Sequence, residues 1–237
     1  MLSRRKIHWL LAAVGCIFAI GLWPGILISA LETATPSILW RAGTDQKVLA
    51  LTFDDGPHSV YTPQLLRILA GHEATATFFL VGERARRFPS LVEAIRAAGH
   101  EIANHSDSLD RTIGLSEREF AANLLRAEET LHLAGAEPKF FRPAGGFIWP
   151  SQAEAARARG YIVTLASGYA FDPYRPPVGY TIWQMKQSLH PGAIWVLHDS
   201  GGDRSMTLRA VEILIPWAKR QGYRFVALTE LVTLAGS

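Results

Sequence analysis

Cysteine is almost absent from this chain: Cys16 is the only one in 237 residues. A single thiol forms no intrachain disulfide, so the fold is expected to be held by packing. An excess of one charge is also missing. Twenty-four Lys and Arg against 21 Asp and Glu leave a formal charge of +3, and Arg4, Arg5 and Lys6 carry part of it. No dense Lys/Arg stripe is interleaved with stacking aromatics, which argues against a nucleic-acid partner. No Gly-x-Gly-x-x-Gly joins a strand pattern to a helix pattern, so dinucleotide binding has no support. Domain-length repeats and low-complexity tracts are lacking too. What remains is a globular composition, 49% hydrophobic and 10% aromatic, sufficient for one domain with a full core.

One long apolar run stands apart. Ile7 to Leu31 contains no Asp, Glu, Lys or Arg and is long enough to cross a bilayer as a helix. The basic cluster precedes it, and Trp9 and Trp23 suit the two interfaces. This predicts one N-terminal transmembrane helix, with the membrane as a partner through residues 7–31 and the domain anchored outside the cytoplasm. The competing expectation is a signal peptide with an apolar core from Trp9 to Trp23, cleaved near Ser29-Ala30 or Thr33-Ala34, which would release a secreted domain. The organisation expected is an anchor or signal segment over 1–31, a linker over 32–46 and one catalytic domain over 47–237.

The domain opens on Val48-Leu49-Ala50-Leu51-Thr52-Phe53, a continuous apolar run of the kind that forms a buried parallel strand. It stops at Asp54-Asp55-Gly56-Pro57. Gly-Pro forces a turn, and two adjacent acids are costly to bury without partners. They form either an Asp-rich turn ahead of a helix or a functional pair in which one acid binds a metal while the other stays free as a base.

Downstream, helix, glycine and strand patterns recur, with glycines at 71, 99, 135, 160 and 222. Strand patterns cover Thr75–Val81, His100–His105, Lys139–Arg142, Tyr161–Leu165, Ala193–Leu197 and Tyr223–Leu228. Helical patterns lie over 64–69, 91–98, 116–134, 151–160, 180–189 and 206–220, and a last one starts near Thr229. Ser116 with Glu119, and Ser151 with Glu154, have capping-box spacing. Such alternation predicts an α/β fold of about seven mostly parallel strands, barrel-like or doubly wound. Reactive residues fall at or beyond strand ends: Asp54 and Asp55, then Asn104 and His105, Arg142, Asp172, and His198 with Asp199. Ligands of α/β folds bind at the carboxyl ends of strands, so a single converging site is expected.

Thr52-Phe53-Asp54-Asp55-Gly56-Pro57 resembles the first motif of the polysaccharide deacetylases, the NodB-homology domain of carbohydrate esterase family 4. Four further stretches resemble the family's other motifs in order: Gly99 to Ser106, Phe141 to Gly146, the region of Asp172-Pro173, and Val196-Leu197-His198-Asp199. The likeness runs from about Lys47 to Leu234. It implies a distorted (β/α) barrel and a hydrolase that removes N-acetyl or O-acetyl groups from an acetylated polysaccharide or oligosaccharide. By the same resemblance Asp54 would be the general base and His198 the general acid. Arg142 would orient Asp54, and Asp172 would orient His198. Asp55 and His105 would bind one divalent metal ion, zinc or similar. The family's second metal-binding histidine falls at Leu109, which cannot ligate. Asp110 is the expected replacement donor and Asp107 its alternative. The other reading is a catalytically inactive member of the fold that binds glycans; an acid–base pair, which a pure binder does not need, speaks against it.

Overall fold

The structure, a computed structural model, describes residues 24–236. The expected transmembrane helix is corrected, and with it the membrane as a partner and the anchored location. Among the described residues no helix is long and apolar enough to cross a membrane. The described end of the apolar run is α1, Pro24–Ala34. It also extends past residue 31 into the stretch read as a linker. Residues 7–23 of the predicted span, and the expected signal-peptide core, lie outside the described residues. Two compact units divide at Pro36 and Ser37.

The second unit, 37–237, is built on an eight-stranded parallel sheet. Its strands are β1 (Val48–Gly56), β2 (Ala76–Leu80), β3 (Glu101–Asn104), β4 (Phe140–Phe141), β5 (Ile162–Val163), β6 (Gly168–Tyr169), β7 (Ala193–His198) and β8 (Arg224–Phe225). The order is β5-β4-β3-β2-β1-β7-β6. Leu49 pairs with both Ala193 of β7 and Phe225 of β8. β8 therefore lies on the β2 side, at the start of β1, before β2 pairing begins at Leu51. The open, curled sheet matches the expected distorted barrel. The strand beyond the expected seven is β6, two residues long, whose Gly168-Tyr169 shows no apolar run. Leu39, within the stretch 32–46, bridges in parallel to Thr164.

The helices are α2 (Tyr61–Gly71), α3 (Gly82–Arg87), α4 (Pro89–Ala97), α5 (Glu117–Leu133), α6 (Pro150–Ala158), α7 (Val178–Gln187), α8 (Ser205–Arg220) and α9 (Leu228–Ala235). Ser116 forms the expected capping box with Glu119. Ser151 does not cap α6: Trp149 is the N-cap and Pro150 the first helical residue, because proline's fixed φ and missing N–H suit that position. The helix α3 was not expected, since its charged sequence shows no apolar stripe.

β1 is buried along nearly its whole length, and its two faces feed different cores. Leu49, Leu51 and Phe53 pack with Leu65 and Leu69 of α2, Val92 and Ile95 of α4, and Leu214 and Ile215 of α8. Val48 and Ala50 face the other way, into a cluster with Phe79, Phe140 and Ile194 that Leu228 and Leu231 of α9 complete. Strand alternation places Thr52 and Asp54 on this second face, one step further toward the carboxyl ends. That is where the polar residues collect.

Candidate active site

Adjacent strand residues point to opposite faces, so Asp54 and Asp55 cannot both face one site from a regular strand. The structure resolves this at Asp55, whose φ is 70°. The β1–β2 register shifts between Phe53 and Gly56. Both carboxylates then face His105: Nε2 lies 3.3 Å from Asp55 Oδ1 and 3.9 Å from Asp54 Oδ2.

Asp54 is fixed from the far side by Arg142, whose Nη1 donates to Asp54 Oδ1 at 2.6 Å and to Thr52 Oγ1 at 2.7 Å. The guanidinium also donates to the carbonyls of Thr164 and Leu165 and lies 4.0 Å from the Phe79 ring centroid. Arg142 is only 3% exposed, so its desolvation is offset by this full set of acceptors. The arrangement occupies Oδ1 of Asp54 and leaves Oδ2 facing the site.

In the β1–β7 ladder Asp54 is paired with His198. Residues directly opposite in a ladder share a face, so the two meet at the same end of the sheet. His198 Nδ1 is 2.9 Å from Asp172 Oδ1, and Asp172 Oδ2 accepts from the His198 backbone N–H at 2.9 Å and from Thr207 Oγ1 at 3.0 Å. Burial disfavours the imidazolium, but the charge and hydrogen bond of Asp172, helped by Asp54 and Asp55, outweigh it and raise His198 to about 8. Asp172 sits in a short turn bracketed by Phe171 at φ 55° and Arg175 at φ 54°. The ring of Tyr169 meets His198 edge-on at 6.3 Å.

His105 turns Nδ1 to the carbonyl of Arg142 at 2.8 Å. A carbonyl only accepts, so Nδ1 carries the hydrogen, and in the neutral ring the Nε2 lone pair points at Asp55. A lone pair facing a carboxylate calls for a cation between them. Burial opposes the charge of Asp55, yet the protonated form of His105, whose Nε2–H would donate to it, together with the charges of His198 and Arg84, holds it at about 2. Asp55 and His105 therefore fit as two metal donors. The third expected donor does not join them. Asp110 is exposed and accepts from Ser108 Oγ at 2.7 Å. Leu109 is 41% exposed. Asp107 is buried but taken by Arg86 at 2.7 Å and Arg126 at 2.9 Å. Among the described residues no group of three or more His, Cys, Asp or Glu is arranged to hold a metal.

At the site the sequence reading missed Arg84 and left Asp199 without a role. Arg84 of α3 donates from one nitrogen to the carbonyl of Asp55 and to Ser200 Oγ. Nothing in its local sequence marks it. Asp199 was visible beside His198 but carried no assigned role. It is fully buried against Gly56, accepts from Thr62 Oγ1, and has no partner at Oδ1. Burial, with the charge of Asp55, pushes its carboxyl up to about 7.

Comparison with known proteins points to one family. A sequence profile described as polysaccharide deacetylase matches residues 41–164. A peptidoglycan-N-acetylglucosamine deacetylase of Bacillus cereus is 36% identical over 201 residues, covering 84% of this chain and 94% of that protein. A family 4 acetyl xylan esterase from Clostridium thermocellum, solved with a cobalt ion, is 32% identical with a TM-score of 0.73, covering 80% of this chain and 92% of that one. A pseudoenzyme of the same esterase family from Bacillus anthracis is 26% identical with a TM-score of 0.78, covering 86% and 72%. With its motifs in order, its sheet in place and Asp54, Asp55, His105, Arg142 and His198 gathered at the strand ends, the chain belongs to the polysaccharide deacetylase family and, like its deacetylase relatives, is a hydrolase of amide bonds.

Proposed function

We propose that this enzyme removes the acetyl group from N-acetylated sugars of a glycan, with N-acetylglucosamine units of peptidoglycan or of chito-oligosaccharides as the substrate class. The observation that carries the reading is the side-by-side placement of Asp54 and His198 on β1 and β7, each with its own buried orienting partner. Relatives named for peptidoglycan and chito-oligosaccharide deacetylation support the substrate class.

Asp54 acts as the general base. Arg142 occupies Oδ1, so Oδ2 takes a proton from the attacking water as its oxygen bonds to the acetyl carbon. His198 enters the reaction as the cation and gives its Nε2 proton to the leaving amine as the C–N bond breaks; Asp172 keeps the ring protonated at Nδ1 and correctly turned. Groups in these roles typically contribute on the order of 10²–10⁴-fold in rate. Asp55 and His105 would hold a divalent ion. When bound, the ion supplies Lewis-acid polarisation of the acetyl carbonyl. Tyr169 and Phe171, packed at 4.7 Å, give the site an aromatic wall against which a sugar face or acetyl methyl can lie.

The test is acetate release from peptidoglycan and from chito-oligosaccharides, with Asp54→Asn as control. Release by the parent and its loss in the variant are expected. No release from either polymer, with glycan binding retained, would overturn the proposal in favour of a silent glycan-binding member of the family.

A further inference from the structure

A left-handed backbone is uncommon for any residue but glycine, although aspartate tolerates it better than most. Such conformations persist only where the surroundings over-determine them. Asp55 is one of them, at φ 70°, and its side-chain direction depends on it. An extended Asp55 would continue the alternation of β1 and turn its carboxylate to the face of Phe53, away from His105.

What holds the conformation comes from the β2–α3 junction. The N–H of Val81 donates to the carbonyl of Gly56 at 2.9 Å. The N–H groups of Gly82 and Glu83 donate to the carbonyls of Ser106 and Asp107, each at 3.0 Å. One short segment thus grips both the loop that carries Asp55 and the loop that carries His105. Its only side chain to reach the backbone of Asp55 is Arg84, which bonds the Asp55 carbonyl and Ser200 Oγ from the same nitrogen. Ser200 lies two residues past His198, so the same guanidinium also ties the Asp55 turn to the end of β7.

We propose that Arg84 is a positioning residue: through the Asp55 carbonyl it keeps Asp55 left-handed and its carboxylate beside His105. The functional side of this rests on the reading of Asp55 and His105 as metal donors. Arg84 touches neither the ion nor the reacting atoms. It is half-buried, so its replacement leaves the core intact.

The experiment compares the parent with Arg84→Ala and Arg84→Lys by titration with cobalt(II) alone, followed by its visible absorption, and by crystal structures of all three. Loss of an outer partner of a metal ligand typically weakens metal binding about 10–100-fold, and that loss is expected for Arg84→Ala with unchanged circular dichroism. Both bonds leave from one nitrogen, so a lysine ammonium can restore part of them, and Arg84→Lys is expected to fall between. In the Arg84→Ala crystal structure Asp55 should leave the left-handed region. If Asp55 keeps its positive φ and its carboxylate stays beside His105, the clamp is overturned, whatever cobalt does. A parent that takes up no cobalt would refute the donor assignment instead, and the crystal structures would still decide the clamp. Should Arg84→Ala fail to fold, Arg84→Gln, which keeps the stem and one donor, answers the same question.

Discussion

Replacing Asp172 by asparagine should switch off the acid without disturbing the base. Asp172 Oδ2 accepts from the backbone N–H of His198 and from Thr207. The asparagine oxygen must take that place, since an amide NH₂ would meet a backbone donor there. Its NH₂ then faces His198 Nδ1, where Asp172 Oδ1 stood at 2.9 Å. Nδ1 can accept from NH₂ only when it carries no hydrogen, which forces the neutral ring. Burial, the largest influence on His198, still opposes the cation. The pKa should therefore fall from about 8 to below the ordinary value of about 6.5. That is at least about 1.5 units, or roughly 2 kcal/mol. At pH 7.5 the protonated fraction drops from about three-quarters to under about one-tenth. The assay is kcat/KM for acetate release against pH: the basic limb should move from near 8 to below 6.5, with activity retained at lower pH. A linked effect on stability has the same origin. The raised His198 contributes roughly 2 kcal/mol that is fully present below about pH 6.5 and lost as pH rises through about 8. The parent should lose that increment across this window and Asp172→Asn should not. A variant whose basic limb stays near 8 would show that His198 is not the acid or that Asp172 does not hold its proton.

Two other substitutions test the rest of the network. Arg142→Met leaves the Asp54 carboxylate buried without its partner, which should cost about 3–5 kcal/mol and lower the melting temperature by on the order of 10 °C; adding Asp54→Asn should recover most of that stability but none of the activity, and a single-variant loss under about 1 kcal/mol would contradict the pairing. Asp199→Asn removes a carboxyl that burial holds near 7. Such a group favours the folded state fully below about pH 3.8 and loses that advantage as pH rises through about 7, a cost of up to about 4 kcal/mol. The melting temperature of the variant relative to the parent should rise between pH 4 and pH 8, and a flat difference would mean that Asp199 ionises freely in the fold.

Much of this was legible before any coordinates, and the reasons are local. The β1 run could be read because a strand buried on both faces must be apolar throughout. The positions of Asp54, His105, Arg142 and His198 followed from strand ends, where chain direction alone decides the side of the sheet. Ser116 was readable because a capping box is satisfied within four residues. Ser151 was misread because the same spacing arises by chance, and the neighbouring Pro150 was the better signal. The fate of Asp107 was not readable at all: its partners Arg86 and Arg126 lie 21 and 19 residues away. The direction of Asp55 depends on a single left-handed residue, and no composition rule announces where an aspartate will adopt it.

The position four residues after His105, where the family resemblance expects a second metal-binding histidine, can vary without changing the shape of the site. The chain leaves His105 through Ser106 at φ 71° and is anchored again at Asp107 by two arginines and by Asn123, which accepts from its N–H. Beyond that anchor Ser108 and Asp110 satisfy one another, and Leu109 stands 41% exposed. Nothing in the packing of the domain needs an imidazole there, so its absence costs little in folding. Asp54 and His198 are different. Each is tied to a buried partner that also binds main chain: Arg142 holds the carbonyls of residues 164 and 165, and Asp172 accepts from the backbone N–H of His198 itself. Removing either Asp54 or His198 would strand its partner in the interior. Stability therefore constrains Asp54 and His198 in addition to the base and acid roles proposed for them, while at position 109 the packing imposes no such constraint.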